Sequence, residues 1–130
     1  MTCFIDTNVV VRHLTGDPPE QAAQATAFLA AAEHLLLTDV VAAEMVYVLE
    51  SFYQAPRSQV ADAVRSLLTF ASVSCVDRPT LLRAVELYEV HRLDFAEAYL
   101  AACAESTGVG AVASFDRSLE RVTSVVRIEP

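Results

Sequence analysis

Thr2-Cys3-Phe4-Ile5-Asp6-Thr7-Asn8 decides how the rest of the chain is read: a short apolar run, Thr2 to Ile5, breaks into three polar residues. Such a run, bounded by turn formers, reads as a buried strand ending in a polar loop. Similar runs recur at Leu35–Leu37, Val73–Val76, Gly110–Ser114 and Val125–Ile128, each separated from the next by polar or helix-length sequence. Between the first two, Asp17-Pro18-Pro19-Glu20 opens a helix reaching about Glu33, with Asp17 placed to cap, Pro18 needing no amide partner, and Glu20 where a capping box puts its acid. Thr38-Asp39 can cap a helix from Val40 to Phe52, and Pro56 opens another in which Val60, Val64, Leu67 and Leu68 recur at helical spacing. Arg78-Pro79 starts a helix to about Val90, and Asp94 one to about Ser106 that Gly108 and Gly110 stop. Short uninterrupted strands alternating with helices predict an α/β fold: a three-layer α/β/α sandwich whose mostly parallel central sheet has about five short strands. Residues 1–130 are expected to form a single domain.

Composition narrows what such a fold can do. The chain has 54% hydrophobic residues and a net charge of −8, with nine basic side chains, all arginine, against seventeen acids. That balance excludes a small basic module gripping nucleic acid by neutralising many phosphates. It permits an acidic cleft that takes divalent cations and meets its substrate through a few arginines. Cys3, Cys75 and Cys103 are odd in number and widely spaced, as expected of buried thiols in a reducing cytoplasm. No basic leader and no membrane-length apolar stretch is present, so a cytoplasmic protein is expected. His13, His34 and His91 form no zinc-binding ladder, and with three glycines there is no Gly-rich phosphate loop.

The informative residues are acids where the pattern wants core or strand-end positions. Asp6 ends the first strand, at the edge where open α/β sheets form ligand sites, although a strand-end turn with Asn8 would also account for it. Glu44 sits among Val40-Val41-Ala42-Ala43 and Met45-Val46-Tyr47-Val48-Leu49. A carboxylate there must either swing to a polar edge or be compensated by a cation. Asp94 and Glu97 are three apart at a helix start and can face one point, either as a capping box or as ligands. Asp116 follows the late strand and could also cap the Arg117–Val122 segment. Asp6, Glu44, Asp94, Glu97 and Asp116 together would repel one another unless a cation or shared proton intervened. Carboxylates without Cys or His favour Mg²⁺ or Mn²⁺ over zinc, and sites of that kind do phosphoryl chemistry.

Phe4-Ile5-Asp6-Thr7-Asn8, Glu44 in an apolar helix, Leu93-Asp94-Phe95-Ala96-Glu97-Ala98 opening a helix and Ala113-Ser114-Phe115-Asp116 after a late strand together resemble a PIN domain. More narrowly, they resemble the VapC toxins of bacterial toxin–antitoxin pairs, over nearly the whole chain. The resemblance implies a Mg²⁺- or Mn²⁺-dependent endoribonuclease cutting tRNA, rRNA or other RNA. It makes Asp6, Glu44, Asp94 and Asp116 catalytic metal-binding acids, adds Glu97 to the metal set, and gives Thr7, Asn8 and Ser114 supporting roles. Glu97 stands where the family more often has Asp, which leaves open binding through water or to a second metal. Arg117 likewise stands where many relatives have a polar or small residue. The resemblance also implies a homodimer and a small VapB-like antitoxin that covers the acidic cleft. Arg12, Arg92 and Arg117, close in sequence to the acids, could meet phosphates or simply pair with nearby carboxylates. Tyr47, Leu49, Phe52 and Tyr53 could divide between core and partner surface.

Rival readings from other classes are a PIN nuclease acting in RNA processing or on DNA without toxicity, and an inactive interaction domain whose acids only cap helices. A haloacid-dehalogenase-like or receiver-like phosphoryl domain also places Asp after the first strand. It is disfavoured because the chain has no lysine to hold a phosphoryl group.

Overall fold

The computed structural model describes residues 1–130, which divide into two compact units, Met1–Val76 and Asp77–Pro130. In the first unit β1 (Thr2–Phe4), β2 (His34–Leu36) and β3 (Val73–Ser74) pair in parallel in the order β1-β2-β3. Cys3 lies opposite Leu35, and Leu35 opposite Val73. Parallel neighbours need a crossover instead of a tight turn. Here α1 (Thr7–Thr15) and α2 (Pro19–Ala31) link β1 to β2, and α3 (Asp39–Ser51) and α4 (Arg57–Leu68) link β2 to β3. The core is built from Val10, Leu29, Leu35, Met45, Val60 and Leu67, with their neighbours, all buried. Each large side chain so buried contributes about 1.5–3 kcal/mol relative to exposure.

Two local departures from the sequence reading have physical causes. Residues expected to continue a polar loop after Asp6 form α1 instead. The β-branched run Val9-Val10-Val11 lowers helix propensity and hides the signal. Burial of Thr7, Val10 and Val11, an i, i+3, i+4 stripe packed where α1 meets α2 and α3, supplies what propensity does not. Gly16, at φ 72°, ends the helix in the left-handed conformation, its N–H donating to the Arg12 carbonyl. The second departure is at Asp17, which does not cap α2: Pro18 flanks the helix in an extended conformation with no side-chain capping bond. A residue that precedes proline is disfavoured in the α region, so Pro18, followed by Pro19, cannot be helical. Asp17 instead accepts a hydrogen bond from the Tyr53 hydroxyl at 2.9 Å.

The second unit contains α5 (Arg78–Val90), α6 (Phe95–Thr107), β4 (Ala111–Ala113), a short 3-10 helix (Arg117–Arg121) and β5 (Val126–Ile128). Strands β4 and β5 are also parallel, with Ala111 opposite Val126 and Val112 opposite Arg127. The α/β class and the parallel pairing are therefore as expected, and the ladders form sheets of three and two strands. Buried Ala98, Ala101 and Ala102 give α6 a smooth face on which α5 packs closely. Tyr88 meets Phe95 edge to face with centroids 6.1 Å apart. Arg83 joins α5 to α6 through Glu105 at 3.1 Å and also pairs with Glu86. The three cysteines are unpaired thiols, half-buried where full burial was expected, and no helix is long and apolar enough to cross a membrane.

Candidate metal centre

The second unit brings three of the sequence-identified acids together. Asp94 occupies the capping position of α6, its carbonyl accepting the Ala98 N–H at 2.9 Å, yet its side chain makes no capping bond. The capping-box reading of Asp94 and Glu97 is thus not realised, and the Asp94 carboxylate is available to a ligand. Glu97 projects from the first turn of the same helix. Asp116 follows β4 and caps the 3-10 helix, one carboxylate oxygen accepting the Ser118 N–H at 2.9 Å. Capping occupies one of its two oxygens. One carboxylate oxygen from each of Asp94, Glu97 and Asp116 lies within 4.8 Å of the others, and the group keeps solvent access.

The surroundings of Asp116 are more elaborate than its sequence context suggests. Its N–H donates to the Ser114 hydroxyl at 2.9 Å. Hydrogen bonds from Ser118, through side chain and main chain, hold the Asp116 carboxyl below the ordinary carboxylate range against the opposing effect of burial, and the charges of Arg121 and Arg127 act in the same direction. Neither arginine was identified from the sequence. Arg121 donates to the carbonyls of Arg92 at 3.0 Å and His91 at 3.4 Å, in the turn that leads into α6. Within that turn Arg92 has φ 58°, a left-handed conformation uncommon for a residue with a side chain. Arg127 donates to the Ser114 carbonyl at 2.9 Å and to Glu120.

In the first unit Asp6 stands just beyond β1 and accepts the Thr7 N–H at 2.9 Å. Thr7 therefore holds Asp6 through its main chain, while its hydroxyl is buried without a hydrogen-bond partner. Asn8 is exposed. Glu44 takes the solvent route: α3 buries Ala42, Met45, Val46 and Leu49, which turns Glu44 outward with Val40, 74% exposed, and Tyr47, 69% exposed. The apolar residues that surround it in sequence are partly on the outer face themselves. Leu49 is core and Phe52 is exposed, so the suggested partner surface reduces to Tyr47 and Phe52, with Tyr53 held by Asp17.

The three arginines singled out as phosphate contacts behave alike. The guanidinium groups of Arg12, Arg92 and Arg117 make no ion pair or hydrogen bond, whereas Arg65, Arg83 and Arg127 are paired with acids. Pairing with a neighbouring carboxylate, the plainer account of these three, does not occur.

The donor set in the second unit is all carboxylate oxygen, with no sulfur or imidazole. Hard ligands of this kind suit Mg²⁺ or Mn²⁺, and a cation removes the repulsion among acids held this close. No curated protein matches the chain. Among solved structures it is similar to VapC20 of Mycobacterium tuberculosis, described as a toxin cleaving the sarcin-ricin loop, with 20% identity and a TM-score of 0.44 over 99% of this chain and 100% of that one. The family model of the PIN domain matches residues 3–125, nearly the full length, and on that match the chain belongs to the PIN domain family.

Proposed function

We propose that the protein is a Mg²⁺- or Mn²⁺-dependent endoribonuclease of the VapC toxin type, hydrolysing phosphodiester bonds in RNA and neutralised by a VapB-like antitoxin. In this reading residues 1–130 act as one domain, and the active form is a cytoplasmic homodimer. The observation that carries it is the approach of Asp94, Glu97 and Asp116 within 4.8 Å in a chain of the PIN family. By resemblance Asp6 and Glu44 are metal-binding acids as well, and the solvent access of both is compatible with that role. When bound, the ion would neutralise the acids and supply Lewis-acid polarisation of the phosphodiester and of water. The protein's own part is to aim its carboxylates. Ser118 holds one oxygen of Asp116, Asp94 spends neither oxygen on its helix, and Thr7 fixes Asp6 from the main chain. The unpaired guanidinium groups of Arg12, Arg92 and Arg117 provide the positive charge that an acidic protein needs to approach RNA.

The test is incubation of total RNA with the purified protein, shown by mass to be free of antitoxin, in Mg²⁺ or Mn²⁺ against EDTA, with Asp6→Asn alongside. The expected result is discrete fragments that require metal and disappear in the variant. Absence of cleavage under every metal would overturn the nuclease reading in favour of an interaction domain. Cleavage of DNA alone would overturn the ribonuclease assignment.

A further inference from the structure

Within the second unit one side chain grips both ends of the segment that carries Asp116. Arg127 lies in the middle of β5, and its side chain is only 8% exposed. Its Nη1 donates to the Ser114 carbonyl at 2.9 Å, at the start of the segment. Its Nε and Nη2 both donate to Glu120 Oε1, at 3.1 and 2.9 Å, inside the 3-10 helix that follows. Glu129 adds a longer contact at 3.4 Å. Between the two grips, the Ser114 hydroxyl receives the Asp116 N–H and an Asp116 oxygen receives the Ser118 N–H. The planar guanidinium fork is suited to this work, because one rigid group donates in several fixed directions.

We infer that Arg127 is a positioning residue for the metal centre, clamping Ser114 and the 3-10 helix so that Asp116 stays beside Asp94 and Glu97. The inference rests on the proposed metal-binding role of those acids. Arg127 touches no substrate in this scheme; it acts through the segment it holds. Electrostatics alone makes the opposite prediction, and that difference decides the matter. A cation close to the acids repels a metal ion, so removing it would tighten metal binding if charge were its whole contribution. Removing a clamp weakens binding, since partners behind metal ligands are typically worth about 10–100-fold in affinity.

The experiment measures Mn²⁺ affinity of the full chain by calorimetry, and amide hydrogen exchange over 114–120 without metal, for wild type, Arg127→Met, Arg127→Lys and Asp94→Asn. Arg127→Lys keeps the charge and loses the fork, so it decides the question even where Arg127→Met does not melt cooperatively. The expected result is Mn²⁺ binding weakened about tenfold in Arg127→Met and several-fold in Arg127→Lys, with faster exchange at Asp116 and Ser118 in both. Unchanged affinity and exchange in Arg127→Lys, or tighter binding in a folded Arg127→Met, would overturn the clamp. Failure of the metal-site reading looks different: wild type binds no Mn²⁺, or Asp94→Asn binds it equally well. The exchange data still decide the clamp in that case, because slow exchange lost in Arg127→Lys supports it and unchanged exchange refutes it.

Discussion

Replacing Asp94 by Asn should raise the stability of the metal-free protein while abolishing most of its response to Mn²⁺. The Asp94 and Glu97 oxygens approach within 4.8 Å. At that separation two unit charges repel by about 0.9 kcal/mol in water and about 3.5 kcal/mol at an effective dielectric near 20. Their solvent access favours the lower end, and Asp116 contributes repulsion of the same sign. Against this, a carboxylate at the start of a helix gains about 0.3–1 kcal/mol from the macrodipole, which Asn forfeits. No capping bond is lost, because the Asp94 side chain makes none. The net relief is on the order of 1 kcal/mol, which for 130 residues raises Tm by about 4 °C. Mn²⁺ at a hundred times its Kd should stabilise wild type by about 2.7 kcal/mol, or about 10 °C. Thermal melts in EDTA and in Mn²⁺, at low and at physiological ionic strength, measure both quantities, and the gain in EDTA should shrink as salt screens it. A variant that melts lower than wild type in EDTA and keeps the full Mn²⁺ shift would refute the idea that this cluster is a strained, metal-seeking one.

Three further outcomes are expected. Arg92→Gln, measured in an Asp6→Asn background that binds RNA without cutting it, should weaken binding and reduce the slope of log K against log salt by about 0.7, the value for one phosphate contact on a single strand. Asp77 caps α5 and is held below the ordinary carboxylate range by hydrogen bonds from the Thr80 hydroxyl and N–H. With its folded pKa depressed, it stabilises the protein above the unfolded value and loses that contribution as pH falls through the folded one, so the Tm gap between wild type and Asp77→Asn should be widest near neutrality and close in acid. Thr38→Ala removes the hydroxyl that accepts the Val41 N–H at the start of α3 and should cost about 1 kcal/mol in urea unfolding.

Most of the fold was legible because its signals are local. Thr38 caps α3 as its position suggests, Gly108 ends α6 at φ 76°, and the short apolar runs became parallel strands. What escaped was nonlocal in origin. Helix α1 exists because Val10 and Val11 find buried partners, and nothing in Val9-Val10-Val11 announces that. Which of its two routes Glu44 takes was hidden for the same reason in reverse. Its neighbours in sequence are apolar, but Val40 and Tyr47 are exposed, so the helix has an outer face richer in apolar residues than solvent alone requires.

The site divides along a similar line. Its acids could be picked out because a charge at a strand end or in an apolar helix contradicts the surrounding pattern, and contradiction is visible in one dimension. Arg127 agrees with its surroundings: in Val126-Arg127-Ile128 the alternation reads as two inward aliphatic residues flanking an outward arginine. The structure inverts this. Val126 and Ile128 are 64% and 52% exposed, and Arg127 turns inward opposite buried Val112. A strand this short has too little apolar burial to set its own face, so the hydrogen bonds to Ser114 and Glu120 are strong enough to choose it. The residue that aims Asp116 thus shares a physical origin with its own concealment. It is inward because it is paired, and the pairing depends on residues 7 to 13 positions away that come near only when the unit folds.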